Sequence, residues 1–406
     1  MAPNAYAAAE LNVRAVLSGR VMQRGENLIV SAELLDAAKM AQLWGARYTR
    51  KVADVMELQE ELASEISGKL RLQLTGKPAK APAAKAAVNK DAYQLYLKAL
   101  YFSNKWTPQD LRRAVDYGRQ AVEHDPNLAP AHAVMATCYA MLGFYSYNPA
   151  HEAFPKAKAA AQRALAIDEG LAEAHAALAI THCFYDWDWP AWERESQRAL
   201  QLNPNLAMAL QVSAHGLIAT GQFDEAITIM KRVAEMDPLS LANNFVLGVW
   251  LYFGRRFNEA ITQCKKTLEL DPAFVRSHEF LAIMYAASGD HDSAREECQI
   301  MASLPGGAII SRCLLGYALA LAGDRDEARR ILDELKPVLK DDLLLMWRTV
   351  YLCVALGEID QAFEMIDYLC SQRFGLLIFA KGYPTIDPLR SDPRYGELLR
   401  RLGLPE

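Results

Sequence analysis

Five ten-residue passages between residues 221 and 366 read alike: GQFDEAITIM (221–230), RRFNEAITQC (255–264), GDHDSAREEC (289–298), GDRDEARRIL (323–332) and GEIDQAFEMI (357–366). Their alanines, Ala226, Ala260, Ala294, Ala328 and Ala362, follow one another at intervals of 34 residues. Composition alone does not place five such matches in one register. A period of that length is one helix–turn–helix unit of a solenoid. The expected fold class is therefore mainly α, a superhelix of stacked helix pairs preceded by a small α/β segment.

The repeat has a simple physical logic. The ladder alanine belongs where two helices cross most closely, and a bulkier side chain there costs roughly 1–3 kcal/mol in overpacking. Twelve positions earlier stands a second small residue, Ala214, Gly248, Ala282 or Gly316, with Val350 as the exception. Gly221, Gly289, Gly323 and Gly357 are placed to end first helices in a left-handed conformation. Pro204, Pro238 and Pro272 close second helices and turn the chain into the next repeat.

Working outward, the chain divides into four expected regions. Residues 1–75 lie outside the period. Val13–Gln23 and Asn27–Asp36 read as strands of a hairpin, Gln42–Thr49 as a third strand, and Val52–Leu74 as a helix with Val55, Leu58, Leu62, Ile66 and Leu70 on one face. A three-stranded sheet leaves an edge that needs covering. Residues 76–90 (GKPAKAPAAKAAVNK) read as a Lys/Ala/Pro linker. Residues 91–372 hold about eight helix pairs. The surplus in the second pair is expected as a loop over Tyr145–Pro155, and the third pair carries Asp186-Trp187-Asp188-Trp189-Pro190 in its turn. Residues 373–406 read as a capping segment, with Tyr395, Leu398, Leu399 and Leu402 covering the last repeat.

Two resemblances sharpen this. The stretches LNVRAVLSGRVMQRGENLIVSAELLDA and QLWGARYTRKVADVMELQEELASEIS resemble the closing part of a TolB-like α/β domain, of which the segment here is a partial copy. The 34-residue pattern resembles the tetratricopeptide repeat, best around Leu247, Gly248, Leu251, Ala260, Cys264 and Pro272. That resemblance implies a right-handed superhelix with a concave groove lined by first helices. The order of TolB-like segment, DWDW turn, repeats and DPRYGELLRRLGLP ending also resembles the C-terminal half of bacterial serine/threonine protein kinases. Similar regions follow cyclase and winged-helix regulator modules. No kinase catalytic signature occurs in these residues, so phosphotransfer is not carried over.

The chemistry in the sequence is sparse. A net charge of −5 argues against a broad basic face for nucleic acid. No run of eighteen apolar residues would insert into a membrane. Seven cysteines show no CxxC pair and read as small buried hydrophobes. His175 and His182, near Cys183, lack a third metal ligand, and Asp186 with Asp188 reads as a helix-capping turn rather than an acid/base pair. The chain is expected to be no enzyme, to have no catalytic residue, and to need no metal or cofactor. What remains is binding of a protein or peptide ligand in the concave groove. The groove-facing positions are His215, Phe245, Val249, Tyr252, Ile283, Tyr317, Trp347 and Tyr351, an aromatic set suited to bulky side chains, the alternative being that several of them pack against adjacent repeats. The expected role is a scaffold in bacterial signal transduction, cytoplasmic in the absence of targeting signals, or extracytoplasmic if the chain is part of a membrane-anchored longer protein. The alternative is the regulatory half of a kinase or cyclase whose catalytic domain lies outside this chain.

Overall fold

A computed structural model describes residues 15–25, 27–36, 41–51, 58, 61, 62, 65, 66, 89–105 and 107–405. Residues 76–88, read above as linker, and most of the helix expected over 52–74 lie outside the described residues. The chain forms two compact units, Met1–Lys98 with Gln120–Leu128 and Ala99–Arg119 with Ala129–Glu406.

In the first unit, β1 (Ala15–Arg24), β2 (Asn27–Asp36) and β3 (Ala41–Lys51) form an antiparallel sheet in the order β1-β2-β3. Val21 pairs with Val30 and Leu17 with Leu34, so alternate residues put these apolar side chains on one face. Val30 and Tyr48 are buried there with Leu58, and Leu28, Trp44 and Leu62 pack around them. The Tyr48 hydroxyl donates to Glu65 at 2.9 Å, and Arg50 pairs with Glu61 at 2.8 Å. Burial, and then Glu65, pushes the Tyr48 phenol up to about 12. On the outer strand the same face is open: Leu17 and Val21 are 49% and 64% exposed. At its other end the unit holds Asn89, whose side chain caps the following helix by accepting from Asp91 and Ala92.

The helices run in pairs. They are α1 (Lys90–Ser103) with α2 (Pro108–His124), α3 (Ala129–Phe144) with α4 (Ala150–Ile167), α5 (Ala172–Thr181) with α6 (Trp189–Leu202), and α7 (Ala207–Thr220) with α8 (Phe223–Met236). Then come α9 (Leu241–Phe253) with α10 (Phe257–Leu270), α11 (Val275–Ser288) with α12 (His291–Ser303), α13 (Ala308–Leu321) with α14 (Arg325–Leu335), and α15 (Leu343–Leu356) with α16 (Ile359–Ser371). A last helix, α17 (Pro393–Arg401), stands alone.

All five ladder alanines are fully buried. One period upstream the position is held by Trp192, and α7 answers with Gly216, where a Cβ would come within 2.0 Å of the indole. The four helix-ending glycines have φ between +73° and +91°. The second pair differs from expectation. Helix α4 already starts at Ala150, so the turn is short, and the surplus residues lengthen α3 and α4 to 16 and 18 residues. Asp125, Asp168, Asn203 and Asp271 each accept a backbone N–H two residues on, a turn that suits the Pro or Gly nearby.

Candidate functional site

The residues expected to line an open groove are where the first helices turn inward, but the groove is filled. Residues 375–391 form two 3₁₀ segments, Gly375–Phe379 and Pro384–Ser391, and run across the inner faces of the first helices. Leu377, Ile378, Phe379, Ile386 and Leu389 are buried along this strap. Phe379 lies 5.0 Å from Trp250, 5.9 Å from His215, 6.0 Å from Phe253 and 6.1 Å from Phe184, measured between ring centres. Tyr383 packs on Phe253, Trp347 and Tyr351 at 4.5, 5.2 and 5.7 Å. Arg255 reaches Asp387 of the strap at 2.8 Å.

Each expected position is accounted for. Phe245, Val249, Tyr252, Ile283, Tyr317, Trp347 and Tyr351 are buried, and His215 keeps only partial solvent contact. His215, Trp347 and Tyr351 touch the strap through the ring contacts above or through neighbouring Phe374. Phe245 packs instead on Phe274 and Phe280 of the adjoining repeat, with the Arg276 guanidinium 5.2 Å from its ring. The open aromatic face is thus not what the structure shows: residues 375–391 cover His215, Trp347 and Tyr351, and Phe245 packs into the adjoining repeat. The expectation that the C-terminal residues only cap the last repeat is likewise too narrow. Helix α17 does lie along α16, with Arg394 paired to Asp360 and set over the Phe363 ring, and Arg401 paired to Asp367. Beyond it the chain reaches the third repeat, where the Trp189 indole donates to the Leu402 carbonyl at 2.8 Å.

Sequence reasoning missed Trp250, Phe253, Arg255 and the strap itself. One signal was available. The run GLLIFAKGYPTIDPL (375–389) is strongly apolar, stands outside the period and has two prolines, so it needs a seat that it cannot make as a helix. A polar feature of the groove floor was also missed. Glu279 of α11 and Arg348 of α15 form a buried two-pronged pair at 2.7 and 2.9 Å, with Arg276 at 3.3 Å from the same carboxylate. Burial alone would raise the Glu279 carboxyl; Arg348 and Arg276 outweigh it, and the net direction is down.

The titratable clusters singled out in the third repeat are engaged separately. His175 Nδ1 lies 2.7 Å from Glu195, and its Nε2 lies 3.1 Å from the Glu169 carbonyl. His278 repeats this with Glu297 and the Pro272 carbonyl, and Asn244 does the same with Gln263 and the Pro238 carbonyl. These polar residues tie a first helix to the chain that enters it and to its own second helix. His182 instead lies 2.8 Å from Asp186, which also takes Lys158 at 2.7 Å. His182, and then Lys158, hold the Asp186 carboxyl below its usual range against the opposing effect of burial. Asp188 accepts from the Ala191 N–H and so caps α6, while Arg373 lies 4.1 Å over the Trp187 ring. Among the described residues no group of three His, Cys, Asp or Glu is placed to hold a metal ion. No helix among them is long and apolar enough to cross a membrane. All seven cysteines are free and buried, and burial raises each thiol, Cys138, Cys264 and Cys353 to about 12.

Residues 275–299 and 310–334 match the tetratricopeptide repeat family. A Rhizobium meliloti (strain 1021) protein named "Putative adenylate cyclase 3" is 29% identical over 175 residues, covering 42% of this chain and 29% of that protein. The transcriptional regulator HilA of Salmonella typhimurium is 23% identical over 163 residues, covering 40% of this chain and 29% of that protein. The chain therefore spans less than a third of the length of these curated relatives in its matched part. Among solved structures, pilF of Pseudomonas aeruginosa is 21% identical, with a TM-score of 0.41, covering 55% of this chain and 96% of that one. The helical part of this chain is mainly α, built of helix pairs in succession and preceded in sequence by a small antiparallel sheet, and two stretches of it match the tetratricopeptide repeat.

Proposed function

We propose that this protein is a non-catalytic scaffold that recruits a protein partner through its repeat array, in bacterial signal transduction and in the cytoplasm. The observation that carries the reading is that a non-repeat segment of two 3₁₀ turns already lies along the inner face of the first helices, held by aromatic side chains. The groove set of His215, Phe245, Val249, Tyr252, Ile283, Tyr317, Trp347 and Tyr351 is then the seat for the partner's segment. Aromatic side chains suit this task because they bury large area with few rotatable bonds. Chemistry has no comparable support: the histidines and carboxylates of the third repeat are committed to one another.

The test is crosslinking in cells that express the tagged chain at native level, followed by reconstitution with the purified partner. Tyr317→Phe, which keeps the buried ring and removes only the hydroxyl, should lower affinity several-fold while helical circular dichroism stays unchanged. Trp347→Ala is a poor probe, because Trp347 packs on Tyr351, Phe374 and Tyr383 and its loss leaves a cavity. A chain that captures no stoichiometric partner sinks the reading.

A second reading is that the array regulates a cyclase or kinase as part of a longer protein. The match to part of the Rhizobium cyclase-named protein favours it. An in-frame stop directly upstream of the Met1 codon overturns that reading, and an open frame encoding a catalytic domain supports it.

A further inference from the structure

We propose that residues 375–391 are a resident, displaceable ligand of the concave groove, and that a partner's segment of the same pattern takes their place. The pattern is an aromatic residue (Phe379), a glycine (Gly382) just ahead of a second aromatic (Tyr383), then an aliphatic residue, a carboxylate and a further aliphatic (Ile386, Asp387, Leu389). The proposal builds on the scaffold reading and gives that partner its chemistry.

Three independent observations carry it. The first is how the strap is bonded. Its backbone hydrogen bonds are local: Leu377 to Phe374, Ala380 to Leu377, Gly382 to Phe379, Ile386 to Tyr383 and Asp392 to Leu389. The Arg390 side chain donates back to the Lys381 carbonyl. The strap thus satisfies its own main chain and docks through side chains, so it can leave as a body without stranding a β-ladder or a helix.

The second is a polar mismatch in the seat. The Trp250 indole N–H and the Tyr252 hydroxyl are more than nine-tenths buried and have no hydrogen-bond partner. On the strap side, the buried Thr385 hydroxyl has none either. A core selected for permanent closure pairs such groups. An occupant that offers an acceptor to Trp250 or Tyr252 competes with a tenant that offers none.

The third is Arg255. Positions 221, 289, 323 and 357 end their first helices with glycine at positive φ. The corresponding position of the middle repeat is Arg255, held at φ +63°. An L-residue there is strained, and such strain persists where the side chain does something a glycine cannot. Here the guanidinium reaches over the groove to the Asp387 carboxylate. Both partners are substantially solvent-exposed, at 38% and 43%. Such a pair exchanges readily for another carboxylate. The shape of the seat adds selectivity. A Cβ on Gly382 would lie 2.8 Å from the Phe253 ring, so the residue ahead of the second aromatic has to be glycine.

The experiment uses the full chain and a fluorescein-labelled peptide of residues 374–391, FGLLIFAKGYPTIDPLRS, read by fluorescence anisotropy. Ile386→Asp puts a charge at a fully buried strap position and expels the strap. The variant should keep its helical circular dichroism and bind the peptide at least tenfold more tightly than the wild type does. On that variant, a peptide with Tyr383→Ala should bind at least tenfold more weakly, and one with Asp387→Lys several-fold more weakly. Asp387 also takes Arg390 of the strap at 2.7 Å, so Arg255→Gly in the same background should shrink the difference made by Asp387→Lys and leave the part due to Arg390. Cooperative loss of helix in Ile386→Asp would show the strap to be inseparable from the array and overturn the proposal. A folded variant that ignores the peptide overturns it equally. If the peptide binds as expected but cells yield no partner, the displaceable strap stands, while its replacement by a partner falls with the scaffold reading.

Discussion

His215 shows what a single residue experiences in this groove. Its ring is within 6.4 Å of Phe144, 5.3 Å of Phe184, 5.4 Å of Trp250 and 5.9 Å of Phe379. Burial among these rings lowers its pKa to about 4. The unfolded chain would take up a proton near pH 6.5, whereas the folded chain resists until about pH 4. Stability from this site is therefore complete above pH 6.5 and is lost as pH falls from 6.5 towards 4. The full loss is about 3 kcal/mol, an upper bound because the residue keeps some solvent contact. His215→Leu should flatten the dependence of the urea midpoint on pH across that window while the wild type declines. A wild-type midpoint that does not move between pH 6.5 and 4.5 contradicts this. The sequence identified His215 as facing inward, because a 34-residue period transfers orientation from one repeat to the next. It was silent on what the ring meets, since Phe379 lies more than 160 positions away and outside the period.

Among elements, α11 and α15 are two repeats apart and are joined through Glu279 and Arg348. Both side chains are nearly inaccessible. Removing Arg348 leaves Glu279 with Arg276 alone at 3.3 Å, so the loss falls short of the roughly 3–5 kcal/mol of a fully stranded buried charge, whereas replacing both Glu279 and Arg348 with apolar side chains is closer to neutral. Arg348→Leu should therefore lower the urea midpoint, and adding Glu279→Leu should recover most of the loss. Additive losses in the double variant would mean that the pair is not coupled. Elements were the most legible scale. Ladder alanines and terminal glycines encode helix crossings and helix ends locally, and strand alternation marks the hairpin at Gly25. The error over Tyr145–Pro155 has a plain cause. Residues 145–155 do not repeat the 34-residue pattern, so nothing periodic marks them as helix, and α4 runs on through Pro155, an interior position where proline removes one intrahelical hydrogen bond.

For the whole repeat unit, the strap changes the mechanics. A solenoid in which each repeat meets only its neighbours unfolds as a nearly one-dimensional chain, frays from its ends and has stability that is roughly a sum of local terms. Residues 375–391 cross that logic, since they touch Phe184, His215, Trp250, Trp347 and Tyr351 at once. Hydrogen exchange on the wild type should show similar protection from α5 to α15. In Ile386→Asp, protection should split by repeat and fall towards the array ends. Equal protection profiles in the two proteins would show that the strap contributes nothing to cooperativity. This scale was the least legible in the sequence. Periodicity reports contacts within and between adjacent repeats, while the strap has no period and its seat is spread over the first helices of several pairs.

The position of the strap along the chain sets an order of events. Phe379 follows Trp250 by 129 residues, so the ribosome completes the middle of the seat well before it makes the occupant. At about 5–20 residues per second, that interval lasts roughly 6–25 s. During it the aromatic face is bare, nascent and exposed to whatever is nearby. A partner made close by meets an unguarded groove in that interval, and the same partner arriving later meets a competitor tethered to it.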